Sequence, residues 1–255
     1  MRITMLGCGP SWGVPRIGDD WGACDPKNPK NRRSRCALLI EDGGQTVLID
    51  TPPDLRQQLL AAQVKRIDAV LFTHAHADHS HGIDDLRSVN RMVGKPMPIY
   101  GSPYTMGELR ARFRYIFASV DTTAPVFYKP AVEPHEVTGP FTAAGMGVVP
   151  FDQDHGFSQT TGFRVGRVAY STDVMTLDDA AFAALAGVEL WVVDCIRQKP
   201  HPTHSHLERT LSWIDRVRPR RAILTHMDES LDYETLRRML PAGVEPGFDG
   251  LIVEL

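Results

Sequence analysis

The stretch "FTHAHADHSHG", residues 72–82, brings His74, His76, Asp78, His79 and His81 within eight positions. Imidazoles this close repel once protonated, so the crowding calls for something that holds them neutral. Neutral imidazole and carboxylate are the donors that divalent zinc and manganese accept. The preceding "AVLFTH" is an apolar run that predicts a strand ending at His74. Alternate side chains of extended backbone share a face, which lets His74 and His76 point the same way. Ser80 offers a helix N-cap, which would put Asp78 and His79 in the turn before a helix. A lone histidine is more often a solvated or core residue. Four chelating side chains at H-x-H-x-D-H spacing, at the end of an apolar strand, predict a metal site.

Other runs rich in Val, Ile and Leu must position that turn. "RITML", "CALLIE", "TVLID", "MPIYG", "GVVPF", "TGFRV", "VAYST", "ELWVVDC", "RAILTH" and "LIVEL" read as strands. Helical patterns lie between several of them: 54–64 with Asp54 as cap, 177–187 ending on Gly187, and 206–219 stopping at Pro219. Strands follow one another directly at first and alternate with helices later. That mixture predicts a layered α/β sandwich, two sheets covered by helices. The chain reads as one domain over 1–255, with a less regular, Pro-rich stretch at 102–144 expected to be an insertion or lid over the site.

Of the 255 residues, 42% are hydrophobic and 23% charged, which suits a globular protein with a sizeable core. The formal charge of −3 argues against a general polyanion-binding surface. Cys8, Cys24, Cys36 and Cys195 are scattered with no C-x-x-C pair, so no disulfide framework is expected. The apolar run in "MRITMLGCGPSWGVP" is short for a signal peptide, and no stretch approaches membrane-spanning length. A cytoplasmic location without membrane association is the expectation, and a homodimer is compatible with it.

On the H-x-H-x-D-H motif the chain resembles the metallo-β-lactamase superfamily of hydrolases, which implies an αββα four-layer sandwich. The resemblance implies a supporting carboxylate at Asp50 in "VLIDTPPD", a further histidine ligand at His155 in "PFDQDHG", a bridging aspartate at Asp173 in "VAYSTD", and a last ligand at His226 in "AILTHM". The implied assignment is one metal on His74, His76 and His155 and a second on Asp78, His79 and His226. Asp173 would lie between them, with a bridging water or hydroxide. Zinc is the expected ion, and manganese suits the same N and O donors.

Secreted β-lactamases of this fold usually carry cysteine where Asp173 stands, and di-iron members have glutamate at the place of His76. The full N/O set resembles the phosphodiesterase branch instead. Such enzymes place a histidine at a helix start roughly twenty residues before the last ligand. His204 lies 22 residues before His226, which favours it over His201 and His206 as general acid to the leaving group. Within the branch, "GCGPSWGVPRIGDDWGACDPKNPKNRRSRCALLIE" and "HGIDDLR" resemble the phosphoribosyl 1,2-cyclic phosphate phosphodiesterases. Some of these hold a structural zinc on a cysteine cluster in the N-terminal loop; here that loop has only Cys24, so none is expected.

The implied reaction is attack of a metal-bridging hydroxide on a small phosphodiester, a cyclic phosphate or nucleotide-like substrate. Arg33, with Arg32 and Arg35, and Arg87 are candidates to dock its phosphate. Trp12 and Trp21 flank the loop and could stack on a base or ribose. The rivals are a transfer-RNA 3′-processing nuclease, for which "RARFRYIF" is a short basic stretch, a lactone, carboxyl-ester or thioester hydrolase, and a metal-binding scaffold without turnover.

Overall fold

Val47, Leu48 and Ile49 cannot all face one side of a strand, yet each is fully buried. A strand of that kind must be covered on both faces. In the computed structural model, which describes residues 1–119 and 128–255, it is. The first sheet is built from β1 (Arg2–Gly7), β2 (Ala37–Asp42), β3 (Gln45–Ile49), β4 (Ala69–Leu71), β5 (Met97–Gly101) and β6 (Val132–Glu136). The second contains β7 (Phe141–Ala143), β8 (Met146–Asp154), β9 (Gln159–Val165), β10 (Val168–Ser171), β11 (Leu190–Asp194), β12 (Arg221–Thr225) and β13 (Val244–Pro246). The last strand, β14 (Ile252–Glu254), returns to the first sheet beside β1, giving orders β14-β1-β2-β3-β4-β5-β6 and β13-β12-β11-β10-β9-β8-β7.

Val47 and Ile49 point into a core shared by both sheets, with Ile3, Leu38, Phe163 and Tyr170. Leu48, Val70 and Ile99 face the other way, onto Leu55 of α1 (Leu55–Ala61), Val89 of α3 (Leu86–Val93) and Leu109 of α4 (Pro103–Arg112). The short α2 (Ala77–Ser80) lies between α1 and α3 in the chain, and α5 (Arg114–Phe117) follows α4. Leu185 of α6 (Asp179–Leu185), Trp213 of α7 (Leu207–Val217) and Leu236 of α8 (Tyr233–Met239) complete the core on the second sheet. The result is the αββα four-layer sandwich.

Each sheet opens with antiparallel pairs and continues in parallel: β3–β4–β5–β6 in the first and β10–β11–β12–β13 in the second. Functional groups of open α/β sheets collect beyond the carboxyl ends of such strands. Here these ends carry Asp50, His74, Asp173, Asp194 and His226.

Local details depart from the sequence reading in three places. Within 102–144, β6 and β7 are edge strands of the two sheets and α4 packs on β5 and β6, so the stretch is largely wall rather than lid. Residues 120–127 of that reading lie outside the described residues. Asp54 precedes α1 but makes no side-chain cap bond; it pairs with Arg35 at 2.8 Å instead. Ser80 closes α2 rather than capping a later helix, its hydroxyl donating back to the carbonyls of Ala75 and His76 at 3.1 and 2.8 Å. His76 occupies the N-cap position, and Asp78 and His79 sit inside the helix.

Candidate metal centre

The chain turns sharply as it leaves β3, with Asp50 at φ +65°. That turn aims its carboxylate at the end of β4: Oδ1 accepts the Thr73 amide at 2.8 Å and Oδ2 accepts the Thr73 hydroxyl at 2.7 Å. Oδ2 also takes His79 Nδ1 at 2.7 Å, so the imidazole presents Nε2 outward. A carboxylate in this position sets both ring orientation and tautomer. Asp50→Ala is therefore expected to weaken metal binding about 10- to 100-fold, measurable by competition with a chelator. An unchanged affinity would mean that the contact is only structural.

His155 is fixed in the same manner from another element. Its Nδ1 lies 2.7 Å from the carbonyl of Thr203, which can only accept, so Nδ1 carries the proton and Nε2 the lone pair. His74 Nδ1 faces the Thr73 hydroxyl at 3.0 Å, and its Nε2 is 2.9 Å from His76 Nδ1.

Asp173 lies at the centre. Its Oδ1 is 3.8 Å from His74 Nε2 and 3.7 Å from His155 Nε2. Its Oδ2 is 3.0 Å from His79 Nε2 and 3.5 Å from His226 Nε2. Asp78 adds an oxygen 3.4 Å from His79 Nε2 and 3.8 Å from His226 Nε2. Two donor sets result, His74–His76–His155–Asp173 and Asp78–His79–His226–Asp173, each with ligand atoms within 4.8 Å of one another. Asp173 and His226 share the left-handed backbone of Asp50, at φ +53° and +59°. Three non-glycine residues in this sparsely populated region at one site mark strain held by the surrounding fold.

The residues fit divalent ions on a further ground. His79 Nε2 and His226 Nε2 are buried with no hydrogen-bond partner. Leaving such groups unmet costs roughly 1–3 kcal/mol each, and a cation coordinated by their lone pairs would remove that cost. Charge points the same way. Burial disfavours a charge on His79, yet Asp173, Asp78 and Asp50 together lift its pKa well above the usual imidazole value. His226, also opposed by burial, is raised to about 9 by the nearby carboxylates of Asp173 and Asp78. Burial keeps His74, His76 and His155 below the ordinary value, hence neutral.

The metal-free second set therefore holds protons where a metal would sit. Metal uptake should release them, so apparent affinity should rise with pH through the range near 9 in which His226 loses its proton. Calorimetry near pH 7.5 in buffers of different ionisation enthalpy measures this release. A buffer-independent enthalpy would contradict it.

His204 lies in the loop before α7, not in its first turn; His206 holds the N-cap position. Its orientation comes from Asp194, whose Oδ2 sits 2.9 Å from His204 Nδ1 and also accepts the Val174 amide at 2.9 Å. The ring stacks on His226 at 4.6 Å and 14°, with Nε2 3.9 Å from Asp173 Oδ1. Asp194 was missed in the sequence. Its signal was available: "LWVVD" is an apolar strand closing on aspartate, as "VLID" does before Asp50.

The expected substrate contacts fare differently. Arg33 is 1% exposed and spends its guanidinium on carbonyls of the turn after His226, 2.9 Å to Asp228 and 2.5 Å to Leu231, which corrects its assignment to substrate. Arg33→Met should cost about 3 kcal/mol or more through the stranded carbonyls, with little change in KM; denaturant unfolding and kinetics separate the two. Arg35 pairs with Asp54, and Arg32 lies 5.0 Å over the Trp21 ring. Arg87 sits half-buried on α3. Trp12 is 40% exposed, tied through Nε1 to Glu229 at 2.9 Å. It lines a groove of about 660 Å³ with Arg32 and Arg35, whose walls include none of the clustered histidines. The four cysteines are free and buried, Cys24 against the Leu231 carbonyl at 3.6 Å.

Comparison with known proteins matches residues 45–227 to the family described as the β-lactamase superfamily domain. An octanoyltransferase of Porphyromonas gingivalis is 32% identical over 256 residues, 98% of this chain and 51% of that protein, so the chain spans about half the length of this relative. A ribonuclease Z of a Mycobacterium species is 28% identical over 230 residues, 78% of this chain and 79% of the relative. Among solved structures, a diphosphatase from the PhnP family superposes with a TM-score of 0.90 at 36% identity, covering 100% of this chain and 97% of that one. The matched region runs from β3 to the turn after β12 and contains both donor sets. The chain belongs to the β-lactamase superfamily.

Proposed function

We propose that this chain is a metal-dependent phosphodiester hydrolase holding two divalent ions, one on His74, His76 and His155 and the other on Asp78, His79 and His226, with Asp173 shared. The observation that carries this reading is the split of Asp173, one oxygen toward each histidine set. Bound ions would supply positive charge against a phosphate and lower the pKa of water at the site. Zinc and manganese both suit the donors.

The chain's own residues do the rest. Asp50, the Thr73 hydroxyl and the Thr203 carbonyl hold the rings in the required tautomers. Asp194 aligns His204 so that Nε2 can give a proton to the departing oxygen. The diphosphatase and the ribonuclease Z are named for reactions at phosphorus. The octanoyltransferase name attaches to a protein twice the matched length.

A small cyclic or nucleotide-like diester suits the chain better than RNA. The charge is −3, and the basic residues of "RARFRYIF" are partly neutralised, Arg110 by Glu136 and Arg112 by Glu108, each at 2.8 Å. Among the described residues no helix is long and apolar enough to cross a membrane. Metal analysis combined with a panel of cyclic diesters, linear diesters, diphosphates, lactones and thioesters tests the reading. Turnover of the carbonyl substrates alone would sink it, and strongly salt-dependent binding of polynucleotide would favour the nuclease.

A further inference from the structure

Phe157 is 93% exposed, an uncommon state for a phenylalanine, and it stands two residues from His155. It occupies the tip between β8 and β9, a tight turn closed by the Phe157 amide on the His155 carbonyl at 3.0 Å and the His155 amide on the Ser158 carbonyl at 2.9 Å. This tip abuts the loop that carries His204. Gly156, at φ +79°, approaches so closely that a Cβ there would meet the Pro202 carbonyl oxygen and the Thr203 side chain at 2.9 Å. The His155–Thr203 hydrogen bond ties the same two loops. On the second loop, the partly exposed His201 ring lies 5.0 Å from His204, edge to face.

We infer that Phe157 and His201, one on each of the two loops that meet beside His204, form an aromatic slot for a flat ring on the departing half of the substrate. The inference rests on the reading of His204 as the group facing the leaving oxygen, and it narrows the substrate class. The departing half carries a nucleobase, so the substrate is a nucleoside-containing diester or diphosphate rather than a bare sugar phosphate. A rigid, solvent-facing phenyl ring gains by being covered, and stacking is tolerant of base identity because every base has a π-face. The slot should therefore distinguish base from no base, and adenine from cytosine only weakly.

The test compares two diesters with the same phosphoryl half, one releasing adenosine and the other releasing ribose without a base. Calorimetric binding of adenosine 5′-monophosphate and of ribose 5-phosphate to the metal-loaded enzyme is measured alongside. The wild-type enzyme should prefer the base in both assays. Phe157→Ala should shrink that preference about tenfold, toward the lower end of what losing a base–aromatic stack produces, with metal content unchanged. Phe157→Trp should keep it. A preference that stays within about twofold in Phe157→Ala, or a wild type indifferent to the base in both assays, overturns the slot. If the wild type cleaves neither diester, the proposed function fails, and the binding pair alone decides the slot.

Discussion

An Asp173→Asn enzyme is expected to lose at least about 10³-fold in turnover, since on the proposed reading the carboxylate would hold both ions, and a bound ion's stabilisation of transition-state charge is worth several kcal/mol. It should also hold fewer than two metal equivalents. Asparagine is the sharper substitution because it tolerates the left-handed backbone that Asp173 adopts at φ +53°. It can also still accept the Thr172 hydroxyl, which lies 2.7 Å from Oδ2. The negative charge and one of the two oxygen donors are removed, and the backbone is left as it was. Alanine would add backbone strain to that loss, and its effects would be harder to divide. The carboxylate is buried among five histidines, His74, His79, His155, His204 and His226, and despite burial the charges of His226 and His79 hold its pKa well below the usual range. Neutralising it would leave the ions proposed for the two sides without their common counter-charge. Inductively coupled plasma analysis and diester turnover measure the two losses together. One metal per chain in the native protein with full activity would refute the shared-carboxylate reading.

Much of this centre was legible because metal ligation constrains residue type and position at once. His74, His76, Asp78 and His79 sit in one turn, and their spacing speaks without a fold. Asp50, His155, Asp173 and His226 are each a single residue at a strand end, visible only through resemblance to a family. The residues that resisted reading are those whose role depends on what folds against them. Asp194 looks like an ordinary strand terminus until the 199–206 loop brings His204 to 2.9 Å from it. Arg33 looks like a surface cation until three backbone carbonyls after His226 close around it. The short β6 and β13 were missed for a related reason. Pro134 and Pro246 break the strand pattern and are tolerated because β6 and β13 lie at sheet edges, where one side of the ladder needs no donor.

For His204→Ala the expectation is full metal loading and a kcat lower by about 10²–10⁴-fold, the usual cost of removing a positioned proton donor. The loss should depend on what leaves. A nitrophenolate departs with little help, so the deficit should shrink for aryl diesters and stay large for alkyl leaving groups such as a ribose hydroxyl. Asp194→Asn divides positioning from proton supply. An amide oxygen can still accept the His204 Nδ1 proton, so the ring should keep its place while the imidazolium loses its buried counter-charge. That variant should show a smaller kcat loss with the same leaving-group trend. Metal content decides between this role and ligation, because Asp194, His204 and His226 also lie within 4.8 Å of one another. If His204→Ala loses a metal, His204 is a ligand and not the acid. If it keeps both metals but is equally impaired on aryl and alkyl substrates, it stabilises phosphate charge and the departing oxygen takes its proton from elsewhere.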